Sequence, residues 1–94
     1  MSNYALSQRA EEDIESILDY IAEDDPQAAL SFYKDLERVF RRLARHPRIG
    51  RERNEITQGI RSIPIGRYLI FFELENPVQL IRVLHSAMDL DEAW

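Results

Sequence analysis

The triplet Asp24-Asp25-Pro26 separates two stretches of helical periodicity and leaves almost no chain between them. Upstream, Ala10, Ile14, Ile17 and Ile21 recur at three- and four-residue spacing with Leu18 on the flank, while Glu12, Glu15, Asp19 and Glu23 fall on the opposite side. That is the pattern of a helix with one face in the core and one in water. Downstream, Ala29, Phe32, Tyr33, Leu36, Val39, Phe40 and Leu43 cover an arc about twice as wide as a coiled-coil seam, so this helix meets more than one neighbour. Asp25 is a good N-cap, and Pro26 fits a first helical position where its missing N–H costs nothing. A connection this short turns the chain back on itself and predicts an antiparallel helical hairpin.

The flanking segments complete the order of elements. A short strand at Tyr4-Ala5-Leu6 precedes Ser7, whose hydroxyl suits it to cap the first helix. The second helix ends near Arg45-His46-Pro47, because proline disfavours helical geometry in the residue before it. Residues 48–59 are polar and turn-rich and read as a loop with one helical turn. Three strand-like runs follow, at 60–63, 68–74 and 78–85, separated by Pro64-Ile65-Gly66 and Glu75-Asn76-Pro77. Both separators carry good turn chemistry, which predicts an antiparallel meander. Leu69-Ile70-Phe71-Phe72 is apolar on both sides of its pleat and belongs in the middle of the sheet, covered on both faces. The expectation is an α+β chain of order β-α-α-β-β-β, with the helical hairpin packed on a small antiparallel sheet. Residues 1–94 are read as one domain, and 89–94 as a short acidic tail.

Composition narrows the chemistry. A chain of 94 residues buries a comparatively small share of its surface, so its core must be compact. Cysteine is absent, which removes disulfides, thiolate catalysis and Cys-ligated zinc. His46 and His85 are too few for a His-rich metal site, and no metal or cofactor is expected. The first residues lack a basic stretch followed by an apolar run, and the longest apolar run is far too short to span a bilayer. The reading is therefore a cytoplasmic chain without membrane association.

Charge is segregated along the sequence. Residues 1–30 hold eight acids against Arg9; residues 31–67 hold nine arginines and Lys34 against four acids; residues 68–94 hold five acids against Arg82. A basic middle between acidic ends predicts a molecule with two differently charged faces.

Five stretches carry a resemblance when taken together and in order. They are Leu6-Ser7-Gln8-Arg9-Ala10-Glu11-Glu12-Asp13-Ile14, Asp19-Tyr20-Ile21-Ala22, residues 43–51, residues 59–72 beginning Gly59-Ile60-Arg61-Ser62, and Ile81-Arg82-Val83-Leu84-His85. In that order and with that arrangement of elements the chain resembles the RelE/ParE toxin superfamily from about Leu6 to Asp89. The resemblance implies a toxin neutralised by a cognate ParD-like antitoxin, whose C-terminal segment wraps the toxin's surface. RelE-type members cut messenger RNA on the ribosome. ParE-type members share the fold but poison DNA gyrase and trap it on cleaved DNA, meeting nucleic acid only through that target.

Metal-independent RNA cleavage needs a base for the 2′-hydroxyl, an acid for the leaving oxygen and cations for the phosphate. Arg61 and Arg67 flank the Pro64–Gly66 turn and Arg82 lies on the last strand, so the three are candidates for converging on a phosphate or on the target. The RelE-like alternative would use Arg61, Arg82 and His85 as its catalytic set, His85 having the intrinsic pKa for acid–base work. The competing reading has His85 ending a strand and the three arginines forming structural ion pairs. RelE-type sites usually add a further tyrosine or histidine near the C-terminus; here Ser86-Ala87-Met88-Asp89 follows His85 and no tyrosine lies beyond Tyr68. The resemblance is thus closer to the ParE branch, with no catalytic residues.

Arg41, Arg42, Arg45, Arg48, Arg51 and Arg53 read either as a nucleic-acid stripe or as the solvated end of a helix and its loop. A two-layer fold this small has difficulty covering both helices, which leaves room for an apolar groove that takes an antitoxin helix. Leu18, Tyr20, Leu30, Tyr33 and Val39 are the expected antitoxin contacts. Residues 89–94 are expected either to dock on the basic segment through Trp94 or to be mobile.

Overall fold

A computed structural model describes residues 4–94. In chain order the elements are β1 (Tyr4–Leu6), α1 (Gln8–Asp24), α2 (Pro26–Arg45), a 3-10 turn (Pro47–Ile49), β2 (Arg51–Glu52), β3 (Ile60–Ile65), β4 (Tyr68–Glu73), β5 (Val78–His85) and α3 (Leu90–Ala93). Both helix starts are built as their residues dictate. The Ser7 hydroxyl accepts from the Ala10 N–H at 3.0 Å, and the Asp25 carboxylate accepts from the N–H groups of Gln27 and Ala28. Each side chain thereby satisfies a first-turn donor that the helix itself leaves unpaired.

The five strands form one mixed sheet in the order β1-β5-β4-β3-β2. The expected antiparallel meander is present as β3-β4-β5, with Ile63 opposite Ile70 and Ile70 opposite Val83. The edge strands complete it in ways that the local sequence does not announce. β1 joins β5 in parallel, Tyr4 opposite Val78 and Leu6 opposite Leu80, so the sheet as a whole is not purely antiparallel. β2 adds two residues beside Arg61 and Ser62. Because β2 stops pairing at Ser62, β3 is an edge from there on, and the strand runs through Pro64 to Ile65 where proline chemistry predicted a turn.

One face of the sheet carries the helical hairpin. Ile63, Ile70, Phe72, Val78, Leu80 and Val83 meet Ile14 of α1 and Leu36, Phe40 and Leu43 of α2 in the main buried cluster. The wide apolar arc of α2 does meet several neighbours: Phe40 packs on Tyr4 at 5.4 Å between ring centroids, and Phe32 on Tyr68 at 5.3 Å. The opposite face holds a smaller cluster of Ile60, Phe71 and Leu84, roofed by Ile56, Leu90, Ala93 and Trp94. Apolar runs on both sides of β4 are therefore covered on both sides. Gly50 enters β2 so close to the core that a Cβ there would lie 2.5 Å from the Phe72 ring, a separation no side chain tolerates.

α1 also seals the part of β5 that β1 does not reach. The Ser7 N–H donates to the Leu80 carbonyl, the Ser7 hydroxyl donates to the Ile81 carbonyl, and the Val83 N–H donates to the Asp13 carboxylate at 3.0 Å. Backbone groups of a strand edge are thus paired by a helix instead of by another strand. Among the described residues no helix is long and apolar enough to cross a membrane.

Candidate functional site

Between α1 and α2, beside β1, the hairpin leaves an open groove of about 270 Å³. Both walls follow from helical spacing. On α1, Glu11, Glu15 and Leu18 stand one turn apart on the flank of the core stripe, and on α2 Tyr33, Glu37 and Phe40 repeat the same interval. Tyr4, Leu6, Ile14 and Leu36 complete the apolar lining. The result is an apolar trough with Glu11, Glu15 and Glu37 around it. Tyr33 is 42% exposed. The neighbouring Glu37 carboxylate, and secondarily burial, push its phenol above the ordinary tyrosine value, because a second negative charge there is disfavoured.

The five residues expected to meet an antitoxin do not lie on one patch. Leu18 and Tyr33 line the groove. Tyr20, the most exposed of the large apolar residues at 72%, stands at the tip of the hairpin near Asp24, Asp25 and Ala28. Leu30 is 48% exposed and lies outside the groove lining. Val39 faces the other flank of α2, in a second depression that it shares with Ile65 and with Arg38, Arg42 and Arg45. The sequence reading missed Tyr4, Leu6 and the three carboxylates. For the carboxylates, the turn-by-turn repeat of acid and apolar positions on both helices was a signal that could have found them.

The arginines of the sheet are internal. Arg82 is only 8% exposed. Its guanidinium forms a two-point ion pair with Asp13, Nε at 2.7 Å and Nη2 at 3.0 Å, and donates through Nη1 to the Ala93 carbonyl. Arg61 donates to the carbonyls of Gly50 and Arg48 and to the Glu52 carboxylate, pinning β2 and the turn before it. The two cannot converge. Arg61 pairs with Phe72 and Arg82 with Phe71, consecutive residues of β4, so they stand on opposite faces of the sheet. Arg67 alone of the three is exposed, in the turn after Gly66. His85 stacks edge-on against Tyr68 at 5.2 Å, and its Nδ1 accepts from the Ala87 N–H. Arg61 and Arg82 are thus held on opposite faces of the sheet, and His85 is engaged by Tyr68 and by the Ala87 N–H.

The acidic tail docks through Trp94, on the apolar cluster of Phe71, Ile60 and Ile56 and not on the exposed arginines. Trp94 packs edge-to-face on Phe71 at 5.1 Å, and Arg9 and Arg82 donate to the carbonyls of Trp94 and Ala93. Burial of a large aromatic surface outweighs the screened attraction between exposed charges. Arg53 approaches the same Phe71 ring at 5.8 Å while bonding Glu55 and Ser62.

Fold and surface together describe a small α+β protein with an apolar groove between two helices. Residues 4–90 match the sequence profile of the ParE toxin of the type II toxin-antitoxin system, parDE, and the chain belongs to that family. It is similar to Toxin ParE1 of Mycobacterium tuberculosis (strain H37Rv), with 33% identity over 93 residues, covering 96% of this chain and 95% of the relative. Toxin ParE1 of Caulobacter vibrioides is 29% identical over 90 residues, covering 95% and 94%. Among solved structures, the chromosomal ParDE TA system from P. aeruginosa has a chain that superposes with a TM-score of 0.73 at 20% identity, covering 90% of this chain and 96% of that one. At that identity the likeness establishes the fold.

Proposed function

We propose that this toxin acts in the cytoplasm by binding DNA gyrase and trapping it on cleaved DNA, and that a cognate ParD-like antitoxin neutralises it. It does so without cofactor, metal or active site of its own. The observation that carries the antitoxin part is the groove between α1 and α2: apolar along its length, open to solvent and ringed by carboxylates. Its occupant is an amphipathic C-terminal antitoxin segment, with aliphatic anchors for the trough and lysines or arginines for Glu11, Glu15 and Glu37. Glu11 and Glu15 have no ion pair among the described residues, so a partner's cations meet charges that are not already neutralised.

The gyrase assignment rests on family membership and on the separation of Arg61 from Arg82 by the sheet. Expressed alone, the toxin should stop growth, induce the DNA-damage response and stabilise gyrase–DNA cleavage in a purified reaction. If it leaves gyrase untouched and shortens ribosome-bound message, the ribonuclease reading replaces this one. For the groove, Leu18→Ala combined with Tyr33→Ala should weaken antitoxin binding by about tenfold or more, as expected for central anchors. Tyr20→Ala, at the hairpin tip, should change it much less. Equal effects from both sites would show that the antitoxin does not use the trough.

A further inference from the structure

On α2, Arg38, Arg41, Arg42 and Arg45 occupy positions i, i+3, i+4 and i+7, a single face, and all four are exposed. Leu36, Phe40 and Leu43 hold the opposite face in the core. Arg48, in the 3-10 turn that follows the helix, is exposed as well, whereas Arg51, opposite Ser62 in β2, belongs to the face of the sheet away from α2. The acids of this region do not neutralise them. Asp35 pairs with Arg38, Glu52 with Arg61 and Glu55 with Arg53. Among the described residues, the guanidinium groups of Arg41, Arg42, Arg45, Arg48 and Arg51 form no ion pair or hydrogen bond.

We propose that this unpaired stripe is a binding surface for the phosphate backbone of duplex DNA. A chain of net charge -5 that keeps Arg41, Arg42 and Arg45 together on one exposed helix face, none of them in an ion pair, presents a local field opposite in sign to its total. The favourable effect of cations at a helix C-terminus accounts for Arg42 and Arg45 in the last turn of α2 but not for Arg41, which precedes that turn. Every cation in the set is an arginine, whose planar fork matches a phosphate with two parallel bonds, where lysine offers a point charge. From Arg38 to Arg45 the helix rises about 10 Å, the axial length of about three phosphates on one strand. The stripe also borders the depression of about 380 Å³ lined by Asp35, Arg38, Arg42, Arg45, Val39 and Ile65, in which three arginines outnumber the one carboxylate, itself paired with Arg38. Aromatic side chains are missing from the lining, so unstacked bases have no platform there, and a duplex fits better than a single strand. The contact needs only the arginines and a duplex, and it stands whether or not gyrase is the toxin's target.

The test is fluorescence anisotropy of a labelled mixed-sequence duplex titrated with full-length toxin between about 50 and about 200 mM salt. With four phosphates neutralised, the logarithm of affinity should fall against the logarithm of salt with a slope of about -3 to -4. The triple variant Arg41→Ala, Arg45→Ala, Arg48→Ala should bind at least about tenfold more weakly and lose most of the slope. Lysine at the same three positions should keep most of the slope at reduced affinity. Absence of binding at the lowest salt, or unchanged binding by the alanine variant, overturns the proposal. So does tighter binding of single-stranded RNA of equal length, or salt-sensitive self-association through the acidic face of α1 that the alanine variant abolishes. Gyrase–DNA cleavage, assayed separately, distinguishes loss of this contact from failure of the target assignment.

Discussion

The arginines of the sheet and those of α2 are chemically identical and serve opposite ends. Arg61 and Arg82 lie beside backbone carbonyls and carboxylates brought there by the fold, and their charge is consumed in holding segments together. Arg41, Arg42 and Arg45 stand on a face that no other element covers, and their charge is directed outwards. Residue type alone therefore says little about where a cation acts; the availability of a partner within the chain decides it.

The largest effect that sharpens this contrast is expected at Arg82. Arg82→Ala leaves Asp13 in a largely enclosed site with only the Val83 N–H, and should lower unfolding free energy by about 3 kcal/mol, read from denaturant midpoints. Asp13→Asn, which keeps a hydrogen-bonding shape, should cost less; equal losses would mean that the ion pair matters only as packing. Arg61→Ala should cost about 1 to 2 kcal/mol by freeing the carbonyls of Arg48 and Gly50, and should raise amide exchange in β2 before the rest of the sheet. The triple alanine variant at Arg41, Arg45 and Arg48 should change stability by less than about 0.5 kcal/mol, since exposed side chains without partners contribute little to folding. A loss comparable to that of Arg82 would erase the distinction between the two sets.

The smallest effect concerns Glu55, whose carboxyl is held below the ordinary glutamate value chiefly by the hydrogen bond from Arg53. A lowered folded-state value means that its contribution is complete above the unfolded pKa and fades as pH falls through the folded one. An NMR titration of Glu55 should therefore move back towards the ordinary value in Arg53→Ala. No movement would place the cause elsewhere in the loop.

Much of this architecture was legible because its signals are local. Ser7, Asp25 and Pro26 mark helix starts by capping chemistry, the two apolar periodicities define the hairpin, and the apolar run of β4 places that strand between two covered faces. What escaped depends on distant residues. Nothing near Tyr4 says that it will lie parallel to Val78, and nothing near Arg82 points to Asp13, 69 positions away. A shift of register between Phe71 and Phe72 further obscures which residues of β5 share a face. The scatter of the five expected antitoxin contacts has the same origin: exposure on a helix is readable from periodicity, but which neighbour stands beside it is not. The groove itself was foreseen from the difficulty of covering two helices with so short a chain, whereas its carboxylates, two on α1 and Glu37 on α2, were absorbed into the general charge of the helices.

The contacts that close the N-terminal segment onto the rest of the chain also govern the order of assembly. β1 on β5, Ser7 on Ile81, Asp13 on Arg82 and Arg9 on Trp94 join residues 69 to 85 positions apart, while the helical hairpin and the three-stranded meander are made from near neighbours. Closing so long a loop has to await rewards that the local units do not need, so strand β1 is expected to enter the sheet late and slowly. Until it does, the trough between the helices lacks Tyr4 and Leu6, and a nascent chain has yet to complete the groove on which the proposed antitoxin contact depends.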